Sequence, residues 1–177
     1  RQGTFTGDLG TTTVTVASSK TMTTTAAIAN GKTIGGSGSV AITALHSTLA
    51  ADLSGITASG GRTAAFDDDG TFTGDLGTFT VTVANTKTMT AAANKVAGKT
   101  INKVGGGDGA LAVKLVSTAD DGGVNLTTVG GTATQTFEVT GNVTFSGTLH
   151  GSIKTSVASS QTLTTTAAIA NGKTIDG

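Results

Sequence analysis

The chain has 177 residues, with 11 Lys and Arg against 11 Asp and Glu, and it lacks Cys, Trp, Tyr and Pro altogether. Zero formal net charge with both signs spread along the chain offers no basic patch for a nucleic acid or another polyanion, and without Cys there is neither a disulfide framework nor a thiolate metal site. Pro normally makes up about 5% of residues; disorder and collagen are rich in it, whereas a backbone committed to inter-strand ladders has no place for a residue without an N–H.

The first strand signal is Thr4-Phe5-Thr6, followed by Thr13-Val14-Thr15, Thr21-Met22-Thr23, Thr33-Ile34 and Val40-Ala41-Ile42. Each sets one or two apolar residues among Thr, Ala or Val, and the branched Cβ of Thr and Val packs well on a pleated surface. Turn signals separate them at Gly7-Asp8, Ser18-Ser19, Asn30-Gly31, Gly35-Gly36, Ser59-Gly60-Gly61 and Asp67-Asp68-Asp69. Two stretches look mildly helical: Ala26 to Asn30, and Leu45 to Leu53 with Leu at i, i+4 and i+8. The second reads as an irregular edge or a single helical turn.

At Gly70 the sequence starts again. Gly3–Ile34 aligns without gaps on Gly70–Ile101, 67 residues later, with 23 of 32 positions identical. A third copy begins at Val143, carries one inserted residue near His150, and reaches Ile175-Asp176-Gly177 about halfway through a unit. The units are therefore 3–69, 70–142 and a partial 143–177, read as one repetitive domain over 1–177. The best-kept stretch is VASSKTMTTTAAIANGKTI at 16–34, which returns as VASSQTLTTTAAIANGKTI at 157–175. Residues 102–142, rich in Gly105-Gly106-Gly107, Asp120-Asp121-Gly122-Gly123 and Gly130-Gly131, are the least regular, and a longer loop is expected to project there.

Strands this short bury little alone. Stacked turn upon turn they bury a continuous apolar column, which predicts an all-β fold of the β-solenoid type. The Thr-apolar-Thr motifs at 4 and 21, and again at 71 and 88, are 17 apart. Coils of roughly 17 to 23 residues give three or four per unit, eight to ten in all, and a rod on the order of 40 Å long. An immunoglobulin-type sandwich is disfavoured by the lack of Trp and Tyr; a trimeric intertwined fibre fits the composition nearly as well. No run of about 18 apolar residues predicts a membrane-spanning helix. A start at Arg1-Gln2-Gly3, without Met or a signal-peptide pattern, is expected of a processed chain or an ordered fragment.

Candidate sites are few, and no catalytic or cofactor-binding residue is assigned. Asp67, Asp68 and Asp69 form the one carboxylate cluster and are the weak metal candidate, for Ca²⁺; a solvated acidic corner is the plainer reading. Gly35-Gly36-Ser37-Gly38-Ser39-Val40 echoes the glycine frame of the Ca²⁺-binding nonapeptide repeat but has Val40 where the metal-binding Asp belongs; Asp108 after Gly105-Gly106-Gly107 is out of frame. His46 and His150 lack Cys or Tyr partners, and His150 is expected in a turn. Asp120 and Asp121 could imitate a carboxylate pair, yet glycoside chemistry needs positioned acids, and no Trp or Tyr is available to line a sugar groove; no enzyme is expected. With Phe5, Met22, Phe72 and Met89 inward, Thr4/Thr6, Thr21/Thr23, Thr71/Thr73 and Thr88/Thr90 face outward. That array could bind ice or a polysaccharide, though Thr is also the ordinary polar residue of an exposed strand, and Val40-Ala41-Ile42-Thr43 interrupts it.

The phrases Leu49-Ala-Ala-Asp-Leu-Ser-Gly-Ile-Thr-Ala58, Gly70-Thr-Phe-Thr-Gly-Asp-Leu-Gly77 and Ala29-Asn-Gly-Lys-Thr-Ile34 resemble the Thr/Ala/Gly/Val-rich repeats of large bacterial surface and extracellular proteins of the adhesin-like kind. The resemblance covers most of the chain and is compositional. It implies a secreted or surface-exposed structural element, and it carries over no catalytic or binding residue. The expected function is a structural component of an extracellular bacterial fibre, sheath or adhesin stalk that self-associates through its sheet edges. The expected partner is the chain itself, with no nucleic acid and no membrane span.

Overall fold

The computed structural model describes residues 2–151 and 153–177. Sixteen short strands follow the Thr/Val-rich signals: β1 (Gly3–Thr4), β2 (Val14–Val16), β3 (Thr21–Thr25), β4 (Ile34–Gly36), β5 (Ser39–Leu45), β6 (Arg62–Phe66), β7 (Gly70–Phe72), β8 (Thr80–Val83), β9 (Thr88–Ala92), β10 (Thr100–Lys103), β11 (Ala110–Leu115), β12 (Thr134–Val139), β13 (Val143–Phe145), β14 (Thr155–Val157), β15 (Leu163–Thr165) and β16 (Ile175–Asp176). Four one-turn helices interrupt them: α1 (Ala26–Ala29), α2 (Ala93–Val96), α3 (Thr118–Asp121) and α4 (Ala167–Ala170). The fold is all-β, and every strand pairing in it is parallel.

Two six-stranded sheets dominate, in the orders β1-β3-β5-β6-β8-β10 and β7-β9-β11-β12-β14-β16; β2-β4 and β13-β15 form two small sheets. Along the first sheet Gly3 lies beside Met22, Val40 beside Arg62 and Thr63 beside Thr80. Along the second Gly70 lies beside Met89, Ala110 beside Thr134 and Phe137 beside Thr155. The neighbour in a sheet is thus a strand about twenty residues further on, and the chain climbs in one direction. The motif spacing of 17 between Thr4 and Thr21 is not the register used. Thr4 pairs with Thr23, and Phe5 N–H donates to the Thr23 carbonyl at 2.8 Å. This places Phe5 beside buried Thr24, whose hydroxyl donates to the Phe5 carbonyl at 3.0 Å.

The inward residues form one continuous cluster. Phe66, Phe72, Phe79, Phe137 and Phe145 are wholly buried in it, together with Leu45, Leu53, Ile56 and Met89. Burying each such side chain contributes on the order of 2 kcal/mol. The Leu45–Leu53 stretch forms no helix. Leu45 ends β5, Leu53 lies beside the Asp52–Asp75 bridge, and the four-residue spacing serves a strand followed by tight turns. Ala26–Ala29 is helical as expected, capped by the Thr25 hydroxyl, which accepts from Ile28 N–H.

Residues 102–142 hold their extra residues in two places, and most make a longer, largely exposed turn at 104–109 between β10 and β11, where in the first copy residues 37–38 join β4 to β5. The remainder fold into a corner made of α3 and a 3-10 turn at Leu126–Thr128, which buries Asp121, Leu126 and Val129. β11 and β12 pair across it over six residues.

The sequence units do not coincide with the sheets. Equivalent strands β1, β7 and β13 lie in three different sheets, and so do β2, β8 and β14. Three steps along the first sheet lead from Gly3 through Met22 and Val40 to Arg62, and the second copy starts eight residues later, at Gly70, in the other large sheet. A 67-residue unit therefore spans three strand-to-strand steps of the first sheet and eight residues more, which carry it into the second.

Candidate functional sites: the acidic corner and the threonine files

The acidic corner sits between β6 and β7, against the layers on either side. Asp67 Oδ1 lies 3.0 Å from His46 Nδ1. The Asp68 carboxylate accepts from the Ser47 hydroxyl at 2.7 Å and from Ser47 N–H at 3.1 Å. Asp69 turns the other way, accepting from Thr88 N–H at 2.8 Å and from Lys87 Nζ at 3.1 Å. These bonds, the Thr88 N–H above all and then the Lys87 ammonium, hold the Asp69 carboxyl below its ordinary range. Asp67 and Asp68 both reach one layer back, where His46 Nδ1 lies 3.0 Å from the first and 4.0 Å from the second, while Asp69 reaches one layer forward, so the three carboxylates do not converge. Among the described residues no group of three or more His, Cys, Asp or Glu is placed to hold a metal ion. What this corner does chemically is tie layers together.

The same device recurs at several other turns, although the side chains of Asp8, Asp52, Asp75 and Asn125 accept hydrogen bonds within their own turn. Asp108 accepts from Thr86 N–H at 2.6 Å. Asn30 Oδ1 accepts from Asp52 N–H, Asn102 Oδ1 from Thr132 N–H and Asn142 Oδ1 from Thr162 N–H, each one layer on. Asp121 is fully buried; its oxygens accept from Val116 N–H at 2.7 Å, Asn94 N–H at 3.0 Å and Ser117 N–H at 3.4 Å. Its neighbour Asp120 instead accepts from the Ser117 hydroxyl at the surface. The two are separately employed and do not face each other as an acid–base pair.

The Gly35–Val40 frame is a strand, a turn and a strand, with Val40 buried in the core. His150 lies half-buried outside the strands, two residues past the Asn125–Thr148 bridge. The Gly-Lys-Thr-Ile ending of the first two copies has a specific task. Lys32 Nζ donates to the Gly10 carbonyl at 2.7 Å, and Lys99 Nζ donates to the equivalent Gly77 carbonyl. Both glycines take left-handed φ, 55° and 54°. The lysine holds the preceding layer's tight turn, and periodicity alone gave no sign of it.

Thr residues form files across the sheets. In the first sheet Thr4, Thr23, Ala41, Thr63, Thr80 and Thr100 are successive partners, one per strand. Their Thr side chains are exposed or half-buried on the outer face. The interruption expected at Val40–Thr43 is a single Ala41, after which the file resumes. The second sheet repeats it with Thr71, Thr90, Ala112 and Thr136, and β13-β15 begins it again with Thr144 beside Thr164. Thr63, Thr80 and Thr136 belong to none of the Thr-apolar-Thr pairs first singled out. The layer spacing varies, so no fixed sequence interval finds them.

Elsewhere, a cavity of about 460 Å³ opens at the first layer between Phe5, Leu9, Val14, Val16 and Met22. No helix is long and apolar enough to cross a membrane among the described residues. Comparison with family models, curated proteins and solved structures finds no match for the chain.

Proposed function

We propose that this chain is a β-solenoid segment of an extracellular or cell-surface fibre, sheath or adhesin stalk, acting mechanically and associating with its own kind through its sheet edges. What supports the reading is the parallel pairing of short strands over one continuous apolar cluster, braced from turn to turn by Asp, Asn and Lys side chains. Such a body is stiff along its axis, because each layer is bonded to the next by a ladder and a side-chain tie. Edge strands present unpaired N–H and C=O groups that template further pairing. No catalytic role and no cofactor are part of the proposal.

Electron microscopy and fibre diffraction of the concentrated protein test it. Elongated particles that lengthen with concentration, with an axial repeat of about 4.8 Å, are expected. Dispersed globular monomers at millimolar concentration would sink the idea.

A second reading, a Thr-face module for ice or polysaccharide, draws support from the files. Against it, the files face outward from three sheets and no aromatic stands beside them. Thermal hysteresis at millimolar protein would favour it. A trimeric fibre is a third reading, and a three-chain mass in solution would favour it.

A further inference from the structure

We propose that the Thr-Thr-Ala-Thr file is a lateral contact face for a second copy of this chain. The inference rests on the fibre reading, to which it adds a side-by-side contact distinct from the sheet edges.

Its first support is placement. Because a unit exceeds a whole number of layers, the file Thr4–Thr23–Ala41–Thr63 of the first sheet is rebuilt as Thr71–Thr90–Ala112–Thr136 on the second and begun as Thr144–Thr164 on a third. The same surface is thereby offered in several directions around the rod. A flat crystal face could engage one sheet at a time, whereas neighbouring rods can meet all of them.

The second support is what changes beside the file. Strands β5 and β6 differ from their equivalents β11 and β12 at most outward positions. Ser39 is matched by Ala110, Thr43 by Lys114 and Ala65 by Glu138, while Ala41 and Thr63 are matched by Ala112 and Thr136. The flanking positions have drifted to a charged pair, Lys114–Glu138 at 3.5 Å, while the file between them keeps Ala and Thr on these two strands; one strand further on Thr80 is matched by exposed Lys154, where the second file ends.

The third support is chemistry and size. A Thr hydroxyl both donates and accepts, so a Thr file is complementary to another copy of itself in an isologous contact. Five of the six Phe are buried, and no Trp or Tyr exists to stack on a sugar. Six strands at about 4.8 Å make a file about 25 Å long, and a swath about 10 Å wide covers about 250 Å² per partner. That is well under the roughly 1,000 Å² in total that a stable dimer buries. The contact is therefore weak between single chains and becomes strong only when rods align many files together. Being uncharged, it persists in about 1 M salt, which screens ion pairs.

Two measurements test this in a chain with no thiol of its own. Thr136→Cys, in a file, and Ala65→Cys, beside one, are oxidised at millimolar protein. Disulfide dimers of Thr136→Cys are expected to form about tenfold faster, the margin that a free-energy bias of about 1.4 kcal/mol produces. In parallel, the Thr63→Lys/Thr136→Lys double variant should reduce bundles to single rods, while Ala65→Glu leaves their width unchanged. Both Lys positions are exposed, and circular dichroism confirms folding. Equal cross-linking rates overturn the lateral contact even if filaments form. Thermal hysteresis in the parent protein that the double Lys variant abolishes also overturns it, in favour of ice. Fast Thr136→Cys dimers with no filaments at all would uphold the contact and remove the fibre reading beneath it.

Discussion

Replacing Gly74 with Ala isolates how closely successive layers approach. An added Cβ at Gly74 would lie 2.1 Å from the Ala51 carbonyl oxygen, 2.7 Å from Ala51 N and 2.7 Å from Phe72 Cζ. Ordinary contact begins near 3.4 Å, so the two layers must separate by more than an ångström. The obstructed carbonyl is the acceptor for Asp75 N–H at 2.9 Å, beside the Asp52–Asp75 bridge. Overpacking costs about 1–3 kcal/mol, and a buried bond left unmade about 1–3 more. The expected loss is about 4 kcal/mol, which for a chain of this size lowers the midpoint of thermal unfolding by on the order of 10 °C. Gly7, at the same position of the first copy, meets only the tip of the Phe5 ring at 3.2 Å, and Gly7→Ala should stay within about 0.5 kcal/mol. Thermal and urea melts of both variants provide the check. If they lose stability equally, or if Gly74→Ala melts like the parent, close layer stacking at this corner is wrong.

Other perturbations have definite signs. Thr86 holds φ at 60°, as Ser19 and Ser160 do at equivalent turns; Thr86→Gly relieves a left-handed strain of about 1–2 kcal/mol at an entropic cost of about 0.5–1, so a net gain in urea midpoint is expected and a decrease refutes it. Asp121→Ala leaves the N–H groups of Asn94, Val116 and Ser117 without their acceptor, a loss of about 3 kcal/mol that amide exchange at those three residues should reveal. The Asp69 carboxyl is held below its ordinary value of 3.8. Its contribution is therefore complete above that value and is lost as pH falls through the lower, folded-state one. Acid titration should loosen the Lys87–Thr88 turn, and Asp69→Asn should remove that dependence; a turn that responds identically in both proteins refutes it.

The strands were readable because Thr and Val alternate with inward residues within each, and the missing Pro pointed to unbroken ladders. Register was harder. Thr4 and Thr21 head identical-looking motifs, yet the ladder joins Thr4 to Thr23, because the buried Thr24 hydroxyl finds the Phe5 carbonyl there. β5 also carries a bulge between Ile42 and Leu45, with Ala44 at φ 53°, an irregularity no periodicity announces. The acidic corner was legible as a cluster and illegible as a tie, since Ser47 and Thr88 become its neighbours only once the layers stack. Lys32 and Lys99 stood out as repeated letters, and only the fold supplies the Gly10 and Gly77 carbonyls that explain them.

The mismatch between unit and layer has a consequence for how such a chain lengthens. Copying 67 residues moves every side chain to a different wall of the body, and yet β7 seats beside β9 just as β1 does beside β3. Each layer asks of the one below only an apolar interior and free backbone groups at the right height, so a duplication need not begin or end at any particular corner. Insertion is tolerated on the same terms, as the added residues between β10 and β11 show by forming an exposed turn while β11 still pairs with β9 over five residues. Slipped copying of the coding sequence, with no respect for the geometry of the product, would still yield a chain that stacks.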